Sequence, residues 1–391
     1  MNKHDIVIIG GGVVGASVAY HLAVRGARDI VILERESQQG LGSTGKATGG
    51  VRAQFETEIN ARMSLYSIDF FDNWERDCGY DPKGYLFFTT DEKKFSLLKE
   101  NVRRQRESGL ADVDIVDAAE ISKIVPGMNC SDIIGGSFGR SDGFIDPLAA
   151  MESFTEEALN RGVQIEFNVS VDSIDESGGR VRAVSTNKGE IKCGTVVLCA
   201  GAWARDLAAT AGVDLPVEPL RRQIVWGQTT EDLPPNLPMV IDLDCGFHFR
   251  PGREFGKNAP SPTPRDILFA FPDTDEKPSF ETEFDESFIA KVREKAKHRA
   301  KFLFETNIVR ERCRAGLYEN TPDRHAILGG CEIEGLYFAN GFSGHGVMHS
   351  PATGRALAEI ILDGKASFLD VSSLRLERFA ASTMFRESAY I

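Results

Sequence analysis

The sequence is short of several features, and each absence removes a class of function. No apolar stretch approaches the length of a membrane span. The strongest near the start, Ile6 to Ile9, runs into glycines that fit neither a signal-peptide core nor its cleavage site, so neither export nor membrane insertion is expected. Basic runs are missing too. Lys and Arg number 45 against 58 Asp and Glu, a formal net charge of -13, and no basic segment interleaves with aromatics, which argues against a nucleic-acid surface and leaves the acidity a role in solubility. The 7 cysteines, Cys78, Cys130, Cys193, Cys199, Cys245, Cys313 and Cys331, are scattered without the close pairing of a zinc site or a disulfide framework. The expectation is a chain without a metal site, in reducing, cytoplasmic surroundings. No fixed-period repeat or low-complexity tract is present.

What is present is ordinary globular composition: 391 residues, 42% hydrophobic and 26% charged, enough for two buried cores. Residues Asp5 to Ile9 read as a strand and Ala16 to Arg25 as a helix closed by Gly26. Asp29 to Glu34 form the next strand, making a βαβ unit. Ile59, Met63, Tyr66, Phe70 and Trp74 are spaced as the buried face of a helix. Strand patterns at Tyr85 to Thr89 and Ile133 to Phe138 flank a charged helix over Glu92 to Ser108. A helix over Leu148 to Arg161 precedes alternating strands from Gln164 to Ile174 and Arg180 to Ile191. Thr195 to Ala200 is a continuous apolar run, the signature of a strand buried on both faces of a parallel sheet. Glu218 to Phe271 reads as strands broken by the Pro/Gly-rich loop Pro251 to Pro264, and a charged helix spans Glu286 to Phe304. Gly335 to Asp363 reads as strand, glycine loop, helix.

These patterns predict an α/β chain with a discontinuous Rossmann-like dinucleotide domain over 1–80, 145–215 and 316–391. A second, α+β domain on a mixed or antiparallel sheet, over 81–144 and 216–315, would bind the substrate.

A diphosphate needs free amides at a helix start and room for close approach. In Gly10-Gly11-Gly12-Val13-Val14-Gly15, Gly10 and Gly12 free the turn and Gly15 lets helix and strand pack closely. Glu34, ending the second strand, is placed to accept hydrogen bonds from a ribose diol. This unit alone serves FAD or NAD equally. Two further glycine-rich loops, Gly42-Ser43-Thr44-Gly45-Lys46-Ala47-Thr48-Gly49-Gly50 and Asn340-Gly341-Phe342-Ser343-Gly344-His345-Gly346, suit the more extended FAD.

With those loops, the strand ending Cys199-Ala200-Gly201-Ala202-Trp203 and the stretch Gly316-Leu317-Tyr318-Glu319-Asn320-Thr321-Pro322-Asp323 make the chain resemble the D-amino acid oxidase superfamily of FAD enzymes. Within it, the chain is most similar to the branch of sarcosine oxidases, dimethylglycine dehydrogenases, glycine oxidase and amino-acid dehydrogenase subunits. The resemblance implies a soluble FAD enzyme that passes hydride from a small amino or imino acid to the flavin, with an electron acceptor or partner subunit beyond it. It implies cofactor contacts through Gly10, Gly12, Val14, Gly15, Glu34, Arg35, Ser43, Thr44, Ala47, Thr48, Gly49, Val171, Ala200, Gly201, Trp203, Gly316, Gly341, Gly344, His345, Gly346, Val347 and Met348. The amides of the helix after Gly346 would stabilise the reduced ring.

Arg52, after the second loop, is the candidate grip for a substrate carboxylate, its alternative being an ion pair with a neighbouring Asp or Glu. His345 is the second catalytic candidate, against a purely structural bond in a tight loop. Three departures from the family pattern matter. Met348 stands where sarcosine oxidases have a carboxylate-binding lysine, with His349 beside it. Gly316 stands where a flavin-linking cysteine would be, which predicts non-covalent FAD, Cys313 being a weaker candidate for attachment. No lysine lies within Ile267 to Phe271, where the basic residue that promotes oxygen reduction is expected, and this favours a dehydrogenase over an oxidase. Alternative readings are oxidation of a 2-hydroxy acid or glycerol phosphate, with His345 or His349 as base, and a non-catalytic assembly protein that keeps the flavin fold.

Overall fold

In the strand Ile6–Ile9 successive side chains feed two different cores, which is why the run has no polar face. Ile6 and Ile8, with Ile30, Ile32 and Val197, pack on the helices Val13–Val24 and Gly346–Asp363 through Val18, Leu22, Ala352 and Leu357. Val7 and Ile9, with Val31, Leu33, Val196 and Leu198, pack instead on Ile174, Val184 and Ile191. Those three belong to a four-stranded sheet of Asn2–Lys3, Gly189–Lys192, Val181–Thr186 and Val171–Glu176. The computed structural model describes residues 2–380 and 386–387.

Sandwiched between helices and the small sheet is a six-stranded sheet in the order Ile327–Gly330, Leu336–Asn340, Thr195–Leu198, Ile6–Ile9, Ile30–Glu34, Gln164–Phe167. All pairs are parallel except the first. The Ile6–Ile9, Val13–Val24 and Ile30–Glu34 elements form the βαβ unit that the sequence predicts. The larger sheet holds nine strands drawn from two excursions of the chain, one running from Tyr85–Thr89 to Gly135–Gly139 and one from Glu218–Gln228 to Arg314–Asn320. It is mixed: Met239–Asp242 runs parallel to Tyr85–Thr89, while the remaining pairs are antiparallel. The helix Ser287–Ala296 closes one face with Phe288 and Val292 against Val225, Phe249 and Phe269. The fold is therefore α/β with a second mixed sheet. The strand Arg314–Asn320, which straddles residue 316, pairs along Glu218–Gln228.

Three stretches of the chain differ from the sequence reading. Gln164 to Ile174 is two strands, not one: Asn168 takes a left-handed conformation (φ 56°), and the chain leaves the edge of the parallel sheet for the small one. Asparagine tolerates that conformation better than other non-glycine residues. The helix over Glu286 to Phe304 ends at Ala296 and resumes at Lys301–Phe304, because Ala300 is extended and bridges to Met128. Between the first excursion's helix and its last strand lie a strand, Val113–Val116, and a helix, Ala118–Ile124, that hydrophobic pattern alone passed over. The reciprocal cap formed by Asp117 and Glu120 marks that helix.

Candidate active site

At the carboxyl end of Ile6–Ile9 the backbone turns through Gly10 at φ 107°, and a Cβ there would stand 2.4 Å from the Cys199 carbonyl oxygen. Only glycine fits. A Cβ on Gly15 would lie 2.0 Å from the Gly10 carbonyl oxygen, so this residue sets how closely helix and loop approach. A Cβ on Gly12 would meet only Thr44 Oγ1 within 4 Å, at 3.2 Å, and the loop otherwise faces open space. Thr44 Oγ1 accepts the Val13 N–H at 3.1 Å, tying the second glycine loop to the first. The Glu34 carboxylate accepts the N–H groups of Gly11 (2.9 Å) and Glu36 (3.0 Å).

From this point a cavity of about 750 Å³ runs between the parallel sheet and the large mixed sheet. Its walls include every candidate site residue named above except Gly15, Gly341, Cys313 and His349. One wall holds Gly10, Gly12, Val14, Glu34 and Arg35, the second loop gives Ser43, Thr44, Ala47, Thr48, Gly49 and Arg52, and the neighbouring strand end gives Ala200, Gly201 and Trp203. Val171 approaches from the small sheet and Gly316 from the large one. The tail loop contributes Gly344, His345, Gly346, Val347 and Met348. Gly341 stands behind this loop at φ 72°, where a Cβ would press on Thr321 at 2.4 Å. The Arg35 guanidinium lies 3.6 Å from the Trp203 ring centroid, a cation–π pair at the rim.

Arg52 is buried. It donates to the Gln54 carbonyl, lies 3.9 Å from the Phe55 ring centroid and stands 3.5 Å from His345 Nε2. Burial lowers its pKa, opposed by Glu387, Tyr85 and Asp142, and an arginine remains a cation in such a setting. The loop is held from below by Asp142, which accepts the Ala53 N–H at 2.6 Å and Gln54 Nε2 at 2.8 Å. Burial pushes the Asp142 carboxyl up to about 7, against those two hydrogen bonds and the Arg52 charge.

His345 caps the helix Gly346–Asp363, whose first-turn amides have no intrahelical acceptor. Gly346, Val347 and Met348 all face the cavity. Burial, then the charge of Arg52, keeps His345 neutral, and its ring meets Phe55 edge-on at 4.8 Å. Pro351 cannot donate to the Val347 carbonyl; the Ser350 hydroxyl does so instead at 2.8 Å, so the helix continues. His349 is outside the cavity wall, paired with Ser64 Oγ at 2.9 Å and pushed by burial to about 3. Cys313 is also outside it: its thiol takes the Trp226 N–H at 3.4 Å, and burial raises its pKa. All seven cysteines are free.

Sequence reasoning did not single out Lys46, Tyr85, Arg222, Met239, His248, Tyr318 or Glu319, all of which line the cavity. Lys46, Tyr318 and Glu319 lie inside segments that already carried the resemblance. Arg222, Met239 and His248 come from strands of the large sheet that no short motif marks. Among the described residues no helix is long and apolar enough to cross a membrane.

Comparison with known proteins fits this geometry. The sequence matches the family described as DAO, FAD dependent oxidoreductase, over residues 5–360. It is 32% identical to FAD-dependent oxidoreductase domain-containing protein 1 of Xenopus laevis, covering 96% of this chain and 83% of that protein. It is 29% identical to 4-methylaminobutanoate oxidase (formaldehyde-forming) of Paenarthrobacter nicotinovorans, covering 96% of this chain but only 45% of that longer protein. Among solved structures, L-proline dehydrogenase from P. horikoshii superposes with a TM-score of 0.88 at 29% identity, covering 98% of this chain and 100% of that one.

Proposed function

The chain belongs to the DAO family of FAD-dependent oxidoreductases, and from that premise we propose that it oxidises a small amino or imino acid of sarcosine, proline or glycine type, held by its carboxylate on Arg52. The observation that carries this reading is the placement of Arg52: a buried guanidinium on the cavity wall, beside the exposed start of the helix Gly346–Asp363. Two of the similar proteins are named for 4-methylaminobutanoate and L-proline, both secondary amines that carry a carboxylate.

The glycine cradle fits FAD. Gly10 and Gly12 leave room for a diphosphate at the start of Val13–Val24, Glu34 suits a ribose diol, and the cavity is long enough to continue to the tail loop. When bound, FAD supplies the hydride acceptor. Its flavin would lie between Gly49 and the first turn at Gly346, and with glycine at 316 and the Cys313 thiol turned away we assign non-covalent attachment. Acid precipitation should then leave the flavin in the supernatant.

Arg52 binds and orients the substrate, because a guanidinium presents two parallel N–H groups to a carboxylate and burial strengthens the pair. It also sets the substrate's protonation. A fixed cation beside a histidine kept neutral favours the neutral amine, the form that can lose hydride, over the ammonium. Oxidation at a hydroxyl would instead need a base near the substrate. His345 and His349 are both pushed far toward the neutral form and are weak bases, so the amine reading is preferred.

Where the strand Asp266–Ala270 reaches the cavity it presents Ala270, Phe271 and Pro272, and no lysine. We therefore favour a dehydrogenase that hands electrons to a carrier or partner subunit. The deciding experiment is anaerobic mixing with a panel of amino, N-methyl amino, imino and hydroxy acids while the visible flavin band is followed. Bleaching by an amine supports the reading, and slow recovery on readmitting oxygen supports the dehydrogenase. Bleaching by a hydroxy acid alone, or by nothing, refutes it.

A further inference from the structure

Glu319 sits where the two halves of the fold meet. Its strand, Arg314–Asn320, belongs to the large sheet, yet its carboxyl reaches the carboxyl end of the parallel sheet. Oε2 accepts Asn340 Nδ2 at 3.1 Å, and a Cβ on Gly201 would lie 3.9 Å from Oε2. Asn340 is fully buried, and its Oδ1 has no hydrogen-bond partner. Glu319 lines the cavity together with Gly10 and Gly201. No Lys, Arg or His makes an ion pair with it among the described residues.

This is an unusual place for an acid. In an open α/β sheet the ligand binds outside the carboxyl ends of the strands, and here that is where a negative diphosphate would approach Gly10. An ionised Glu319 would oppose it, whereas a protonated one offers an O–H donor to a phosphate or ribityl oxygen. We propose that Glu319 is a cofactor-binding residue that contacts the diphosphate–ribityl segment of FAD as a neutral carboxyl group, so that loading the cofactor takes up a proton. This rests on the reading that the cavity holds FAD. Burial supports it, pushing the Glu319 carboxyl up to about 7 even against the Asn340, Gly341 and Phe342 donors.

The surrounding groups leave this titration separable. Cys199, facing Glu319 from the neighbouring strand end, has its thiol raised by burial and then by the Glu319 charge, and Tyr85 is raised by burial as well. Pro219 is its register partner on Glu218–Gln228, and Arg222 lies further along the same strand. Burial holds His248 near 4 and His349 near 3, and His345 also stays neutral. Asp142 titrates near 7 as well, but it supports the Arg52 loop.

The test is FAD affinity of the deflavinated full chain from about pH 6 to about pH 8.5, by quenching of flavin fluorescence, with calorimetry in buffers of different ionisation enthalpy. Wild type should weaken toward about tenfold per pH unit above pH 7 and take up a proton on binding. Glu319→Gln, which keeps a neutral donor, should bind at high pH as wild type does at low pH, with a flat profile and no uptake. Glu319→Ala should be weaker at low pH and equally flat. A flat wild-type profile, no proton uptake by wild type, or an unchanged slope in Glu319→Gln overturns the proposal. Should Glu319→Gln fail to fold, Glu319→Ala decides in its place, and an unchanged slope or retained proton uptake in that variant overturns the proposal. Failure of wild type to bind FAD at any pH removes the cavity reading itself and this inference with it.

Discussion

At the scale of single residues, Arg52 carries most of the functional argument. Arg52→Lys keeps the charge but loses the two-point geometry. It should raise KM for the amino acid by roughly tenfold or more, and Arg52→Ala by about a hundredfold or more, the loss of one to two charge-assisted hydrogen bonds at about 1.5–3 kcal/mol each. FAD content should not change, and an unchanged KM would remove the carboxylate assignment. The second residue-scale expectation concerns pH. His345 is neutral, so kcat/KM should rise with pH along the substrate amine and show no inflection near 6.5, the ordinary histidine value. His345→Gln should leave the shape of that profile in place; a profile that loses an inflection in the variant would make His345 a catalytic base. Arg52 and His345 were visible in the sequence because both sit in glycine loops whose composition is itself a signal. The Asp142 carboxylate beneath them was not, since a buried acid that braces a loop 89 residues away has no local pattern.

At the scale of elements, the helix Gly346–Asp363 links cofactor site and core. It crosses Val13–Val24 so closely that a Cβ on Gly354 would stand 2.4 Å from Ser17 Oγ and 2.5 Å from His21 Nδ1. Gly354→Ala should gain helix propensity of about 1 kcal/mol but lose about 1–3 kcal/mol by overpacking. The net should be a lower urea midpoint together with weaker FAD binding, as the first turn is pushed off the cavity. A more stable variant would show that the helices can separate at no loss. Long periodic or continuously apolar elements could be read directly: Ile6–Ile9, Val13–Val24, Tyr85–Thr89 and Glu92–Glu107 lie within a few residues of their expected places. The strand break at Asn168 and the helix break before Lys301 could not, because both follow from partners distant in sequence.

At the scale of the whole molecule, the C-terminal region is fastened to the loop after Arg314–Asn320 by a buried pair, Arg378 Nε to Asp323 Oδ2 at 2.8 Å. Burial raises the Asp323 carboxyl, but the hydrogen bonds and charge of Arg378 outweigh it and hold the group below its ordinary range. Its stabilisation is therefore complete above the unfolded value near 3.9 and is lost as pH falls through the lower folded value. Arg378→Ala should lower stability by about 3–5 kcal/mol at neutral pH, with the gap to wild type narrowing below about pH 4. A gap that stays constant into acid would mean that the pair is not the cause. Saturation with FAD at about 100 times Kd should in turn raise stability by roughly 2.7 kcal/mol, read as a higher Tm. The sequence by itself determined the βαβ unit, the glycine cradle and the acidic end of Ile30–Glu34, because these depend on neighbours along the chain. It also carried the expectation that three loops share a ligand, and residues of all three line one cavity. Only the tertiary structure decided which strands of the large sheet line that cavity, that Asp142 holds the Arg52 loop, and that Glu319 leaves its own sheet to reach the other. Those contacts join residues far apart in the chain, and burial, which sets their charge, exists only once the two sheets have closed on one cavity.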